Sequence, residues 1–151
     1  MSLFFCLSAS SQQMSVVNLE TLLNASAKNA DALLQKIKFK LADKESGAGY
    51  TNYYYTSYEK KDSSHIIIRS LSFMDVYSGS DTSRLLLFRT YNKSDQEEIK
   101  KQLLINGYEL SKRTDNDFHY KKENYSVINR ISEKQAPTNN TVVAYEFEMG
   151  R

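Results

Sequence analysis

The chain has 151 residues, 40% hydrophobic and 25% charged, and its 20 basic and 18 acidic side chains leave a net charge of +2. That length suits one domain burying about two-thirds of its unfolded surface, and the apolar share supports a core without a metal or disulfide scaffold. The near balance of charge argues against a dedicated polyanion binder, and a single cysteine excludes an intramolecular disulfide.

Residues 1–13 read as the last part of a secretory signal peptide or as a disordered tail. An apolar run, Leu3-Phe-Phe-Cys-Leu7, is followed by the small residues Ser8-Ala9-Ser10, the arrangement a signal peptidase reads. The run is short and no basic residue precedes it. Cys6 has no charged neighbour to favour a thiolate, and the bulky Phe5 before it does not suit lipid attachment. The expectation is export to the periplasm or the exterior, with retention in the cytoplasm as the alternative. No stretch reaches the ~20 apolar residues of a membrane-spanning helix.

From Val16 to Leu41, apolar residues recur at steps of three and four (Leu19, Leu22, Leu23, Ala30, Leu33, Leu34, Ile37). The pattern predicts one helix about 26 residues and ~39 Å long, capped by Ser15 or Asn18, with the weak helix formers at 24–29 as a place to bend. Strands follow at 50–60, 65–77 and 84–92, rich in β-branched and aromatic residues and separated by turns at 61–64 and 78–83. Ser94-Asp-Gln-Glu97 has the form of a capping box, so a second helix is expected over 95–106, stopped by Asn106-Gly107. Two further strands at 117–122 and 125–133 turn at Glu123-Asn124. The segment 141–149 alternates, with Val143, Tyr145, Phe147 and Met149 on one face and Glu146 and Glu148 on the other.

The order is therefore α-βββ-α-βββ, one α+β domain over residues 14–151 built on an antiparallel sheet of about six strands with two helices on one face. It is open to reading as a tandem αβββ repeat, with Gly49-Tyr50 and Gly107-Tyr108 as corresponding pairs. The order also resembles that of bacterial secretion chaperones, which usually end in a third helix. That likeness is one of topology and implies no function.

Tyrosine is concentrated in Tyr50-Thr-Asn-Tyr-Tyr-Tyr-Thr-Ser-Tyr58, five of the chain's 11. On a strand it divides into Tyr50, Tyr54 and Tyr58 on one face and Tyr53 and Tyr55 on the other. Ile66-Ile-Ile68 and Leu85-Leu-Leu-Phe88 are apolar on both faces, so something beyond two helices must cover the second face: the chain's own segments or another molecule. The candidate binding surface is Tyr53, Tyr55, Ile66, Ile68, Arg69 and Arg89, and the partner expected there is a protein or a second copy of the chain. Arg69, Arg84 and Arg89 would, with tyrosines, form a platform for a nucleic acid or an anionic glycan if they clustered, but no RNA-recognition signature accompanies them and no nucleic-acid partner is expected.

Catalytic motifs do not emerge. His65 and His119 stand alone, without metal spacing, so neither a metal nor a cofactor is expected. No phosphate loop or nucleophile elbow occurs. The leading expectation is a small exported, non-enzymatic binding domain. The alternatives are an enzyme whose site is assembled from distant residues, with His65, His119 or a carboxylate as base, and a cytosolic chaperone or inhibitor-like protein.

Overall fold

The computed structural model describes residues 13–135 and 141–151. The leader and Cys6 readings above, and the 136–140 connection, therefore lie outside the described residues. Three helices and eight strands follow in the order α1 (Val16–Asn24), α2 (Ala27–Lys36), β1 (Lys40–Gly47), β2 (Tyr50–Lys60), β3 (Ile66–Ser78), β4 (Asp81–Thr90), α3 (Lys93–Ile105), β5 (Glu109–Arg113), β6 (Asp117–Lys122), β7 (Tyr125–Gln135) and β8 (Thr141–Gly150). The strands form one antiparallel sheet in the order β1-β2-β3-β4-β8-β7-β6-β5. Two four-stranded meanders thus meet along β4 and β8.

The count corrects the expected six strands and two helices. The predicted long helix is two, because Ser26 turns its hydroxyl to the Asn29 amide and starts a new helix. Arg84 meanwhile takes the Leu22 and Ala25 carbonyls at 2.6 and 2.8 Å and so closes α1. The ~39 Å rod gives way to two short helices that fit side by side with α3. Strand β1 takes the last two residues of the expected helix, Lys40 and Leu41, and continues to Gly47, while β5 lies where no strand is expected. Both are edge strands exposed along their whole length, so they lack the apolar alternation by which a strand is recognised.

The helix ends are locally determined. Ser15 caps α1 by accepting from the Asn18 amide. For α3 the cap is Asn92, accepting from the Asp95 amide, and the helix begins at Lys93. The expected box on Ser94 is displaced by two residues, because Asp95 is drawn into a buried ion pair. Helices α2 and α3 end alike: the Phe39 amide reaches the Leu34 carbonyl as the Tyr108 amide reaches that of Leu103, with Lys38 and Gly107 at φ 67° and 83°. This is the Schellman ending. Gly49 instead belongs to the β1–β2 turn, so the two Gly-Tyr pairs are not equivalent positions.

All three helices pack on one sheet face, and their buried residues join those of the strands in a single core: Leu19, Leu22 and Leu34 with Tyr55, Phe73, Phe88 and Phe147. Residues of odd number in β2, β3 and β8 and of even number in β4 point into it, as the registers require.

Candidate functional site

The helix-covered face is locked by two buried ion clusters. Arg69 of β3 makes a bidentate pair with Asp95 of α3 at 2.6 and 2.9 Å, and reaches Glu59 of β2 at 2.7 Å. The Thr90 hydroxyl donates to the same Asp95 carboxylate. Burial disfavours the Arg69 charge, but the hydrogen bonds to Asp95 and Glu59 outweigh it and hold the guanidinium above its ordinary pKa. At the other end Arg84 pairs with Asp75 through two nitrogens, and its guanidinium lies 4.3 Å from the Phe73 ring centre. Tyr55 is buried and donates to Asp31 of α2 at 2.9 Å, and its ring and that of Tyr53 stack on Phe73.

The candidate residues therefore do not form one surface. Tyr53, Tyr55 and Arg69 lie on the covered face, whereas Ile66, Ile68 and Arg89 lie on the opposite one. The three arginines are likewise separated, each in its own ion pair, Arg89 with Glu146 at 2.6 Å.

The opposite face, which carries no helix among the described residues, has two halves. Across β2, β3 and β4 it carries Tyr54, Tyr58, Ile66, Ile68 and Leu85, of which Tyr58 is 68% and Ile66 63% exposed. Across β8, β7 and β6 it is polar, with Glu146, Arg130 and Asp117 in cross-strand register and, with Arg89 of the adjoining β4, forming an alternating row. Arg130 reaches Asp117 at 3.2 Å. Period-two counting groups Tyr54 with Tyr58 and Ile66 with Ile68, and the β2–β3 register puts the two pairs on one face. Such counting would not have found Tyr91, Lys134 or Val142, which arrive from other strands.

Those three meet Ile66 and Ile68 around a half-open cavity of about 700 Å³ at one end of the sheet, with Lys61 and Asp62 also in its lining. Apolar cavities of this size with a few polar groups at the rim are the usual form of a ligand site. His65 also lines it, at the β2–β3 turn, where its Nδ1 lies 2.9 Å from Asp62 and both side chains are largely exposed. The Ser64 amide, then the Ser64 hydroxyl and then His65, all donating to Asp62, hold that carboxyl down at about 2. Among the described residues no group of three or more potential ligands gathers to hold a metal, and no helix is long and apolar enough to cross a membrane.

No family model matches the chain, and comparison with curated proteins and with solved structures gives no significant match.

Proposed function

We propose that the chain is a non-enzymatic binding domain that engages a protein partner through the aromatic and aliphatic half of its open sheet face, and that it acts after export. The observation that carries the reading is the run of Tyr54, Tyr58, Ile66, Ile68 and Leu85, exposed together across three neighbouring strands. Exposed aromatic and aliphatic side chains gathered in one patch mark interaction surfaces more often than bare solvent faces. Export is supported by the leader-like sequence alone. The shared ending of α2 and α3, and the two four-stranded meanders, support reading the domain as two copies of one helix-and-strands unit.

A photo-crosslinking residue placed at Tyr58 in the native host, compared with the same chain carrying Leu85→Lys, tests the surface. The expected result is one crosslinked protein of defined mass, lost in the variant, whose thermal midpoint stays within about 3 °C because Leu85 leaves the core intact. A product of twice the chain's mass would make the partner a second copy. A sharply monomeric protein with no crosslink overturns the reading. The mass of the mature N-terminus decides between export and a retained, cytosolic chaperone-like chain.

One observation favours an enzymatic second reading: the Asp62–His65 pair borders the cavity. Asp62 can orient the ring and leave Nε2 to act on a bound molecule. Turnover of any cavity ligand, lost in His65→Gln with binding retained, would favour this reading over the first.

A further inference from the structure

The cavity has a shape that the strand registers explain. β4 ends at Thr90, which pairs with Arg69 of β3 and Tyr145 of β8, and the chain then leaves through Tyr91 and Asn92 into α3. Its two neighbours continue. β3 extends past it by residues 66–68, paired on the far side with β2, and β8 by residues 141–144, paired on the far side with β7. Among the described residues no strand lies between the two extensions. A one-strand gap in a sheet is about 10 Å wide, twice the interstrand spacing, and among the described residues neither extension has a strand partner toward the other.

The residues bordering this notch differ from those at the outer edges of the sheet. β1 carries Lys40, Asp43, Lys44 and Glu45 and is bulged between Leu41 and Asp43. β5 carries Glu109, Lys112 and Arg113 and is bulged between Leu110 and Lys112. Charges and bulges are the usual protection of an edge against strand addition. The two strand segments that flank the notch carry neither a charge nor a bulge: Ile66, Ile67 and Ile68 lie across from Thr141, Val142, Val143 and Ala144. Lys61, Asp62 and Lys134 also line the cavity; Asp62 is engaged by Ser64 and His65, whereas Lys61 and Lys134 form no ion pair among the described residues.

Resting on the binding role proposed above, we propose that the notch takes the C-terminal tail of the partner protein as an inserted strand. β3 and β8 both run antiparallel to β4 and so parallel to each other. A tail continuing the direction of β4 is therefore antiparallel to both and fills the more stable pairing on each side. Its backbone takes up the unpaired edge groups, and its alternate side chains contact Ile66, Ile68, Tyr91 and Val142, as in recognition by strand addition. In that direction its terminal carboxylate emerges between Lys61 and Lys134. The preceding part of the partner leaves over the open face, beside Leu85 and Tyr58, so the notch and the face serve one partner.

The test is selection from a library of random hexapeptides displayed with free C-termini, against the full chain. The selected peptide is then titrated into isotope-labelled protein. The expected result is enrichment of β-branched residues at alternate positions, with amide shifts and slowed hydrogen exchange at residues 66–68 and 141–144. C-terminal amidation of the peptide, or Lys61→Ala with Lys134→Ala, weakens binding by about ten-fold, the scale of one charge-assisted contact. No enrichment, or peptides bound equally well when amidated, overturns the proposal. Enriched peptides that shift Tyr54 and Tyr58 but not the notch overturn it while leaving the open-face reading in place. Loss of the Tyr58 crosslink with tail binding intact does the reverse.

Discussion

Arg69 shows how one residue can read as a surface cation and serve as a buried joint. Its side chain is 5% exposed and bonds Asp95 and Glu59, tying β2, β3 and α3 together beside the end of β4. Pairs of this kind add little net stability relative to apolar residues of similar volume, but loss of one partner strands a charge in the interior. Asp95→Ala is expected to lower unfolding free energy by about 3–5 kcal/mol, measured by urea denaturation. The paired change Arg69→Met with Asp95→Leu should lose much less, since it removes both buried charges. Equal losses in the two variants would show that the clamp acts through packing.

The helix endings set where each meander starts. Both endings need a left-handed residue; α3 supplies Gly107 at φ 83° and α2 supplies Lys38 at φ 67°. A side chain in that conformation costs about 1–2 kcal/mol, which glycine avoids. Lys38→Gly should therefore raise the denaturation midpoint, by an amount worth up to about 1 kcal/mol after its greater unfolded-state entropy is offset. Gly107→Ala should lower stability by about 1 kcal/mol. Opposite signs at two superficially similar positions are the outcome to look for, and the same sign at both would remove the conformational explanation. The Phe39 and Tyr108 side chains that follow are both buried, so each ending also delivers an aromatic ring to the core.

For the whole molecule, the helix layer is fastened to the sheet by tyrosine hydroxyls as well as by apolar contact. Tyr55 donates to Asp31 of α2 and Tyr108 to Glu20 of α1, each at 2.9 Å. Burial first, and then these carboxylates, push both phenols well above their ordinary range. The folded chain thus keeps protons that the unfolded chain releases near pH 10. Stability from these groups is complete below that pH and falls as pH rises above it. The denaturant midpoint should drop as pH rises above about 10, and Tyr55→Phe with Tyr108→Phe should flatten the fall. Phenolate absorbance developing in one early step for all 11 tyrosines, with the fold intact, would contradict this.

The sequence alone determined the parts of this protein that depend on nearest neighbours. Two-residue turns such as Glu123-Asn124, the α3 stop at Gly107, and the division of the tyrosine stretch into Tyr50, Tyr54 and Tyr58 against Tyr53 and Tyr55 all follow from local backbone preference and the period of two. Tertiary structure decided what those faces meet. It put the helices over Tyr53 and Tyr55, buried Arg69 while leaving Ile66 and Ile68 exposed, and recruited the fully exposed β1 and β5 as strands by pairing them with β2 and β6. It also set the unequal strand ends that open the notch, bringing Lys61 and Lys134 to one cavity from positions 73 residues apart (134 − 61). A strand's own residues specify which side chains share a face. Which face is covered, and where a neighbouring strand stops short, depends on chain segments far away in sequence.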